Sequence, residues 1–538
     1  MSRRRWPLLV VAAVSVGLAA RAAFLYWSPL PATLDGFRYA RLAAGLDGSL
    51  LASAVQSDEL VWTLLLGAAA DVTGVRPLYL AQPLVACIGG ASVLGGLVLV
   101  RGVGRAADWP ARRTFHASVL AGLGLAVSGM YLRRTGVPDE EALALLLLPL
   151  FALAAHRALA SNRRAWAGLF GLLALVYPPL HNMSSLVAAF TLTAVVVVHL
   201  AQAESRREVL APTVAVAGFW SYFFGYYTAA ERVGLELTYS GLLGDHLGAF
   251  FAWLVVLAVG TVWLYTTTDR AVRTTLGVGV GIWFLAAGAN LVAPVFPGTI
   301  ETPPLILGLA LLYVVPVALF AWGLPSVRRL GGDAPATVAL LLAPVALVWF
   351  TLATSLTPEF FGTAMRVQVH AHVATFVLAA VVAVAIAADR PVAGRTLVAV
   401  LVVATLLSAP FAFVHIDTAT APRTVHASEF DAVSVAASSG GYASDHRLSR
   451  VGPLYYGGNV SGAVGPTRAW LAGGDPPDCL TLAQRSWTVE GAHFYPTPPL
   501  RLPPDRFDRW HERGNLVYST GGTTETYLVV PPGESETC

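Results

Sequence analysis

Lysine is absent from this 538-residue chain, so all 35 basic side chains are arginine. Charged residues of every kind reach only 12%, roughly half of what a soluble domain carries. Cysteines number three. So little charge excludes a single aqueous core for a chain that is 56% hydrophobic, with mean hydropathy +0.63. Three cysteines exclude a disulfide framework, and a net charge of +3 excludes a basic stripe for nucleic acid. Cys87 falls inside an apolar run. Cys479 and Cys538 share a polar C-terminal stretch, where they can pair if it lies outside the cytosol.

Apolar sequence fills the chain instead. Thirteen stretches near 7–27, 78–100, 114–132, 142–156, 166–180, 185–203, 211–230, 247–268, 274–294, 304–325, 335–355, 369–388 and 396–414 approach the length that crosses a bilayer. The first follows Arg3-Arg4-Arg5, shows no clear small-x-small cleavage site and is read as retained. Arginines then fall on every second loop: Arg101, Arg105, Arg112 and Arg113; Arg157, Arg163 and Arg164; Arg206 and Arg207; Arg270 and Arg273; Arg328 and Arg329; Arg390 and Arg395. The positive-inside rule makes those loops and the N-terminus cytosolic, which leaves the C-terminal region outside. Composition changes abruptly after the last stretch, so residues 1–414 are read as the membrane domain and 415–538 as a separate water-facing domain. In the latter, Asn515–Ser519 and Glu525–Val530 flank Gly521-Gly522 as a β-hairpin, and Asn459-Val460-Ser461 is a glycosylation sequon. The expected fold class is an all-α polytopic membrane domain of about 13 helices with a small mixed α/β extracytoplasmic C-terminal domain. Between the first two spans, Leu60 to Ala70 reads as an interfacial or re-entrant helix.

The outer loops hold the residues that suit chemistry. The first begins Thr33-Leu34-Asp35-Gly36, placing a carboxylate where water, protein and headgroups meet; Asp35 equally suits a helix N-cap. The second reads Arg133-Arg134-Thr135-Gly136-Val137-Pro138-Asp139-Glu140-Glu141 and leads straight into a span. Acidic residues suit a helix N-terminus, but Pro138 favours breaking the helix, which lets Asp139 and Glu141 aim at one cation or substrate group. Carboxylate ligands of this kind, with Asp35, suit Mg²⁺ or Mn²⁺. Arg133 and Arg134 sit on the outer side against the charge rule and suit anionic headgroups or a phosphorylated ligand. Tyr177-Pro178-Pro179-Leu180-His181-Asn182-Met183-Ser184 also faces outward, bordering a site or forming a proline-rich turn. Thr299-Ile300-Glu301 lies between spans nine and ten. Beyond span eleven, Thr357-Pro358-Glu359-Phe360-Phe361 leads to Arg366 and His370, one helical turn apart on one face.

An aspartate in the first outer loop, a D-x-E in the second, and thirteen spans before an outer domain together resemble the GT-C membrane glycosyltransferases, especially the oligosaccharyltransferase branch. Thr299-Ile300-Glu301 is similar to that branch's T-I-x-E motif with one residue missing. The branch's W-W-D-Y-G signature is missing from 415–538, where the nearest string is Trp470-Leu471-Ala472-Gly473-Gly474-Asp475. The resemblance implies a donor sugar on dolichyl phosphate, with Arg366 on the lipid phosphate and His370, Arg133 and Arg134 beside it. It also implies catalytic roles for Asp35, Asp139, Glu141 and Glu301, with a divalent cation on Asp35, Asp139 and Glu141. Loss of the sequon reader favours a relative that adds one sugar, mannose being the choice, to an extracytoplasmic glycan or glycoprotein such as a surface-layer protein. Transfer of a whole glycan to Asn is the second reading and a transporter or flippase the third, although transporters place their charges near the bilayer midplane.

Overall fold

The computed structural model of the chain describes residues 5–46, 59–161, 163–201, 206–233, 243–295, 301–355, 357–413, 425–494, 497–521, 525–533 and 538. Helices come in the order α1 (Arg5–Ala22), α2 (Leu34–Ala44), α3 (Leu60–Thr73), α4 (Pro77–Ala106), α5 (Ala111–Val127), α6 (Gly129–Gly136), α7 (Glu140–Ser161), α8 (Arg164–Leu180) and α9 (Asn182–Leu200). They continue as α10 (Arg206–Arg232), α11 (Leu247–Thr266), α12 (Asp269–Ala289), α13 (Pro304–Leu311), α14 (Val314–Val327), α15 (Ala334–Thr354), α16 (Pro358–Val367), α17 (His372–Asp389) and α18 (Pro391–Ser408). Among the described residues, 11 helices or helix pairs are long and apolar enough to cross a membrane. Two of the thirteen expected stretches differ. The third is broken into α5 and α6, which meet at 61°, and the fifth is α8, only 17 residues long.

The packed centre is α4, α7, α9, α15 and α17, whereas α10, α11 and α12 leave most of their apolar surface exposed, as lipid-facing helices do. The expected helix over Leu60 to Ala70 is α3. Its Trp62 and Leu66 are fully buried, so it packs into the protein.

A buried arginine holds the broken span in shape. Arg21 of α1 is fully buried and donates from Nε and Nη2 to Thr135 Oγ1 (2.9 and 2.6 Å), from Nη1 to the carbonyls of Gly17 and Ala126, and from Nη2 to that of Leu125. Leu125 and Ala126 end α5 and Thr135 lies near the end of α6, so one guanidinium spans both legs of the bend. Water is excluded here, and neutral oxygens solvate the charge in its place. Gly89 of α4 makes room for this: a methyl there would fall 1.9 Å from the Thr135 carbonyl oxygen and 2.6 Å from Arg21 Nε.

The C-terminal region is mixed α/β. Helices α19 (Ala427–Ala437), α20 (Leu448–Tyr456), α21 (Gly465–Leu471) and α22 (Pro504–Arg513) surround strands β1 (Gly441–Ala443), β2 (Ser461–Ala463), β3 (Thr481–Gln484), β6 (Asn515–Ser519) and β7 (Thr526–Val530), with β4 (Ala492–Phe494) and β5 (Thr497–Leu500) paired apart. The main sheet runs β2-β1-β3-β7-β6; β1 is parallel to β2 and β3, while β7 is antiparallel to β3 and β6. The expected hairpin is β6–β7, and Cys479 is bonded to Cys538 with Cα atoms 5.1 Å apart. Inside, Arg447 forks onto Glu429 through two 2.8 Å bonds and Gln484 donates to the same carboxylate. Burial alone would raise the Glu429 pKa, but Arg447 holds it below the ordinary value.

The two regions meet at α2. Phe37 stacks on Phe430 with ring centres 5.7 Å apart, Arg41 Nε donates to the Leu454 carbonyl at 3.0 Å, and Ser28 Oγ donates to the Val425 carbonyl. Helix α2 is therefore packed between α4 on one side and α19 and α20 of the C-terminal region on the other.

The contrast among helical glycines is testable. Gly89→Ala is expected to cost about 1–3 kcal/mol, because the added methyl meets backbone, whereas Gly171→Ala on α8, with nothing within 4 Å, is expected to gain about 0.5 kcal/mol from helix propensity. Unfolding midpoints of the two variants in detergent would check this; equal shifts would contradict it.

Candidate functional site

Glu141 occupies the second position of α7 and is 1% exposed on its side chain. A buried carboxylate needs charged or hydrogen-bonding partners, and two arginines supply them. Arg366 of α16 donates from Nε to Glu141 Oε1 and pairs through Nη2 with the same oxygen, while Arg134 of α6 lies 3.5 Å from Oε2. Asp139 divides its oxygens: Oδ1 accepts from the Glu141 backbone N–H at 3.1 Å, capping α7, and Oδ2 lies 4.0 Å from Arg366 Nη2. One oxygen of Asp139 thus caps the helix, and both carboxylates face the Arg366 guanidinium. The Arg366 side chain remains 28% exposed while its guanidinium is held by carboxylates.

Asp35 joins this cluster from α2. The helix cap is Thr33, so Asp35 lies inside the first turn and is no cap. Its neighbour Gly36 is packed against Pro138: a methyl on Gly36 would meet Pro138 Cβ at 3.4 Å, and Pro138 precedes Asp139. Fully buried Gln82 of α4 fastens the two loops together, accepting from the Ala32 N–H at 3.1 Å and donating to the Gly136 carbonyl at 2.7 Å. Asp35 reaches solvent although protein crowds it on most sides, as a residue lining a recess does. That crowding, and then the like charge of Asp139, push its pKa above the ordinary carboxylate value; Arg366, Arg450 and Arg38 pull the other way. Asp35 therefore lies near enough to Asp139 and Arg366 for both charges to be felt at its carboxyl, while Asp139 and Glu141 meet at Arg366.

Behind it runs a hydrogen-bonded row. Tyr39, one turn after Asp35, donates to Glu140 Oε2; Glu140 Oε1 lies 3.1 Å from His181 Nε2; His181 Nδ1 is 2.8 Å from Ser184 Oγ, which is hydrogen-bonded to His370 Nε2 at 3.2 Å. All five are buried. The row joins α2, α7, α9 and the turn after Arg366, which are the segments that carry the cluster.

Glu301 is exposed, and the Thr299-Ile300 part of its motif lies outside the described residues. His370 is 1% exposed and belongs to the row behind the recess. Arg133 lies over the Phe411 ring, 5.7 Å from its centre, and only Arg134 reaches Glu141. Both oxygens of Glu141 are turned to arginine, Oε1 to Arg366 and Oε2 to Arg134, and among the described residues no three Asp, Glu, His or Cys side chains gather. Sequence reading passed over Arg21, Gln82, Tyr39 and Arg450. The signal for Arg21 was available, because a charge within an apolar run demands a partner.

Beside Arg366 the apolar helices part. A cavity of about 560 Å³ opens between α11, α12, α14, α15 and α17, and a smaller one of about 130 Å³ lies next to it; Trp283, Phe284, Tyr313 and Gln368 line both. Gln368 is two residues beyond Arg366, and Met365, its immediate neighbour, lines the smaller cavity with Phe411, the ring beneath Arg133.

No family model and no curated protein matches the chain. Among solved structures it is similar to the archaeal oligosaccharyltransferase AglB from Archaeoglobus fulgidus in complex with an inhibitory peptide and a dolichol-phosphate, with TM-score 0.48 and 13% identity over 84% of this chain and 64% of that one. It is also similar to ArnT from Cupriavidus metallidurans bound to undecaprenyl phosphate, with TM-score 0.40 and 12% identity over 100% of both chains, and to ArnT in the apo state, with TM-score 0.35 and 14% identity over 98% of each. The chain thus spans less than two thirds of the length of that oligosaccharyltransferase.

Proposed function

We propose that the chain is a membrane glycosyltransferase that moves one sugar, mannose by our choice, from a dolichyl or other polyprenyl phosphate onto an extracytoplasmic glycan or glycoprotein. The observation that carries this reading is a guanidinium, Arg366, that two carboxylates hold and whose chain neighbours Met365 and Gln368 line apolar cavities, with its charge felt at the exposed carboxylate Asp35. A lipid-linked sugar phosphate has that same composition: an apolar tail, a phosphate, and a reacting carbon just beyond it.

In the proposed step the acceptor hydroxyl gives its proton to Asp35 as its oxygen bonds to the anomeric carbon. The bond from that carbon to the phosphate oxygen breaks, and its electron pair leaves with the lipid phosphate. Arg366 faces the charge that grows on the phosphate, which a preorganised cation stabilises without reorienting. Glu141 and Asp139 hold the Arg366 fork, and Arg134 adds positive charge from the other side. The two arginines take the role that the sequence assigned to a divalent cation, so no metal ligand is drawn from Glu141. Attack opposite the leaving group inverts the anomeric carbon.

Three variants test this in purified protein supplied with polyprenyl phosphate mannose and a glycan acceptor. Asp35→Asn should lower kcat about 10²–10⁴-fold with the fold intact; full activity in that variant would end the proposal. Because the Asp35 pKa is raised, the base form exists only above that value, and the rate should fall as pH drops through a point above the ordinary carboxylate range. Asp139→Asn removes the like charge and should move this acid limb to lower pH, a shift readable whatever the residual rate. Arg366→Gln should raise KM for the lipid donor and lower kcat together, with Arg366→Lys intermediate because a point charge cannot reproduce the fork; an unchanged donor KM would contradict the phosphate role.

A further inference from the structure

We infer that the outer domain completes the recess on the acceptor side, with Arg450 of α20 as a binding residue for the carboxylate of an acidic sugar whose hydroxyl is activated by Asp35. This rests on the transferase reading above and adds to it the class of acceptor.

The geometry begins with α2 and α20 lying side by side. Arg41 donates to the Leu454 carbonyl, and a methyl on Gly457 would sit 3.1 Å from Arg41 Nη1, so the C-terminal ends of the two helices meet. One turn back along α20 from Leu454 is Arg450, and one turn back along α2 from Arg41 is Phe37, with Asp35 a half-turn further. The Arg450 charge is felt at the Asp35 carboxyl, as it must be if the helices run the same way.

Charge accounting then singles out Arg450. Arg38 pairs with Glu59 at 3.2 Å, Arg134 and Arg366 share Glu141, and Arg447 is spent on Glu429. Arg450 is exposed and pairs with no carboxylate within 4 Å among the described residues; its contact is Nη1 to His446 Nε2 at 3.4 Å. Burial and the neighbouring Arg450 lower the His446 pKa, so that ring is neutral and offers a lone pair. Arg450 is exposed to solvent on the helix packed against the one that carries Asp35. A planar fork matches a carboxylate with two parallel hydrogen bonds, whereas a neutral hydroxyl takes one. A uronate ring carries a hydroxyl and a carboxylate on the same small frame, which suits two side chains one or two helical turns apart.

The test uses the full-length protein in detergent with two acceptors on the same aglycone, one ending in glucuronate and the other in glucose. Wild type should bind the glucuronate acceptor at least about tenfold more tightly by calorimetry without donor, and show a correspondingly lower acceptor KM in transfer. Arg450→Gln should erase that preference while leaving the KM values for the glucose acceptor and the lipid donor unchanged; Arg450→Lys should keep part of it. Equal binding of both acceptors by wild type, or a preference that survives in Arg450→Gln, overturns the inference even if transfer proceeds. Arg450-dependent glucuronate binding without transfer to either acceptor would instead overturn the transferase reading and leave the anion site standing.

Discussion

Glu141 is an anion held where water scarcely reaches, and the outer site is arranged around satisfying it. An unpaired carboxylate there would be expensive, so two arginines from segments far apart in the chain close on it, one from the short helix before it and one from 225 residues later. Their positions follow from the demand. Arg366 cannot swing away without stranding the carboxylate, and a cation so fixed is oriented before any ligand arrives, which is the condition under which electrostatic stabilisation is strongest. Asp139 does double duty because it caps α7 with one oxygen and faces the same arginine with the other.

Rigidity behind the recess has three sources, all made by polar groups inside an apolar setting. Arg21 fixes the bend between α5 and α6 and hence the direction in which Arg134 and the D-x-E segment leave the membrane. Gln82 fastens the first outer loop to the second. The row from Tyr39 through Glu140, His181 and Ser184 to His370 fastens both to α9 and to the turn after Arg366. Hydrogen bonds in low dielectric are strong when complete and costly when broken. The segments carrying the cluster are therefore expected to move together or not at all, which suits a recess that must hold two reactants in line.

Much of this was legible in the sequence, for identifiable reasons. Apolar length is a local property, so the spans could be counted, and only the break at Ser128 and the short α8 differ from thirteen clean crossings. The hairpin followed from its turn residues, and Cys479 and Cys538 could be matched because both lie in the polar C-terminal stretch. Asp35, Asp139 and Glu141 could be nominated because they are carboxylates on loops beside apolar spans, and Arg366 because of its place in the pattern of the family that the sequence resembles. Their division of labour could not. Whether Glu141 meets a metal ion or an arginine depends on side-chain direction across hundreds of residues, which no spacing encodes. Glu140 shows the same limit: it stands between the two acidic residues singled out, yet it turns away toward Tyr39 and His181. Glu301 lies at the opposite extreme, fitting a motif in sequence while remaining exposed.

The seating of α2 between the membrane helices and the helices of the C-terminal region has an engineering consequence. Phe37 lies against Phe430, and Arg41 against the end of α20, so the surface that receives the outer domain is encoded near the start of the chain while the domain itself is encoded near its end. A chimera that exchanges residues 425–538 alone would pair a foreign C-terminal region with a native α2 and leave an aromatic ring facing water. Swapping the C-terminal region cleanly requires transplanting α2 with it, and because α2 carries Asp35, such a graft would also exchange the carboxylate that feels Asp139 and Arg366.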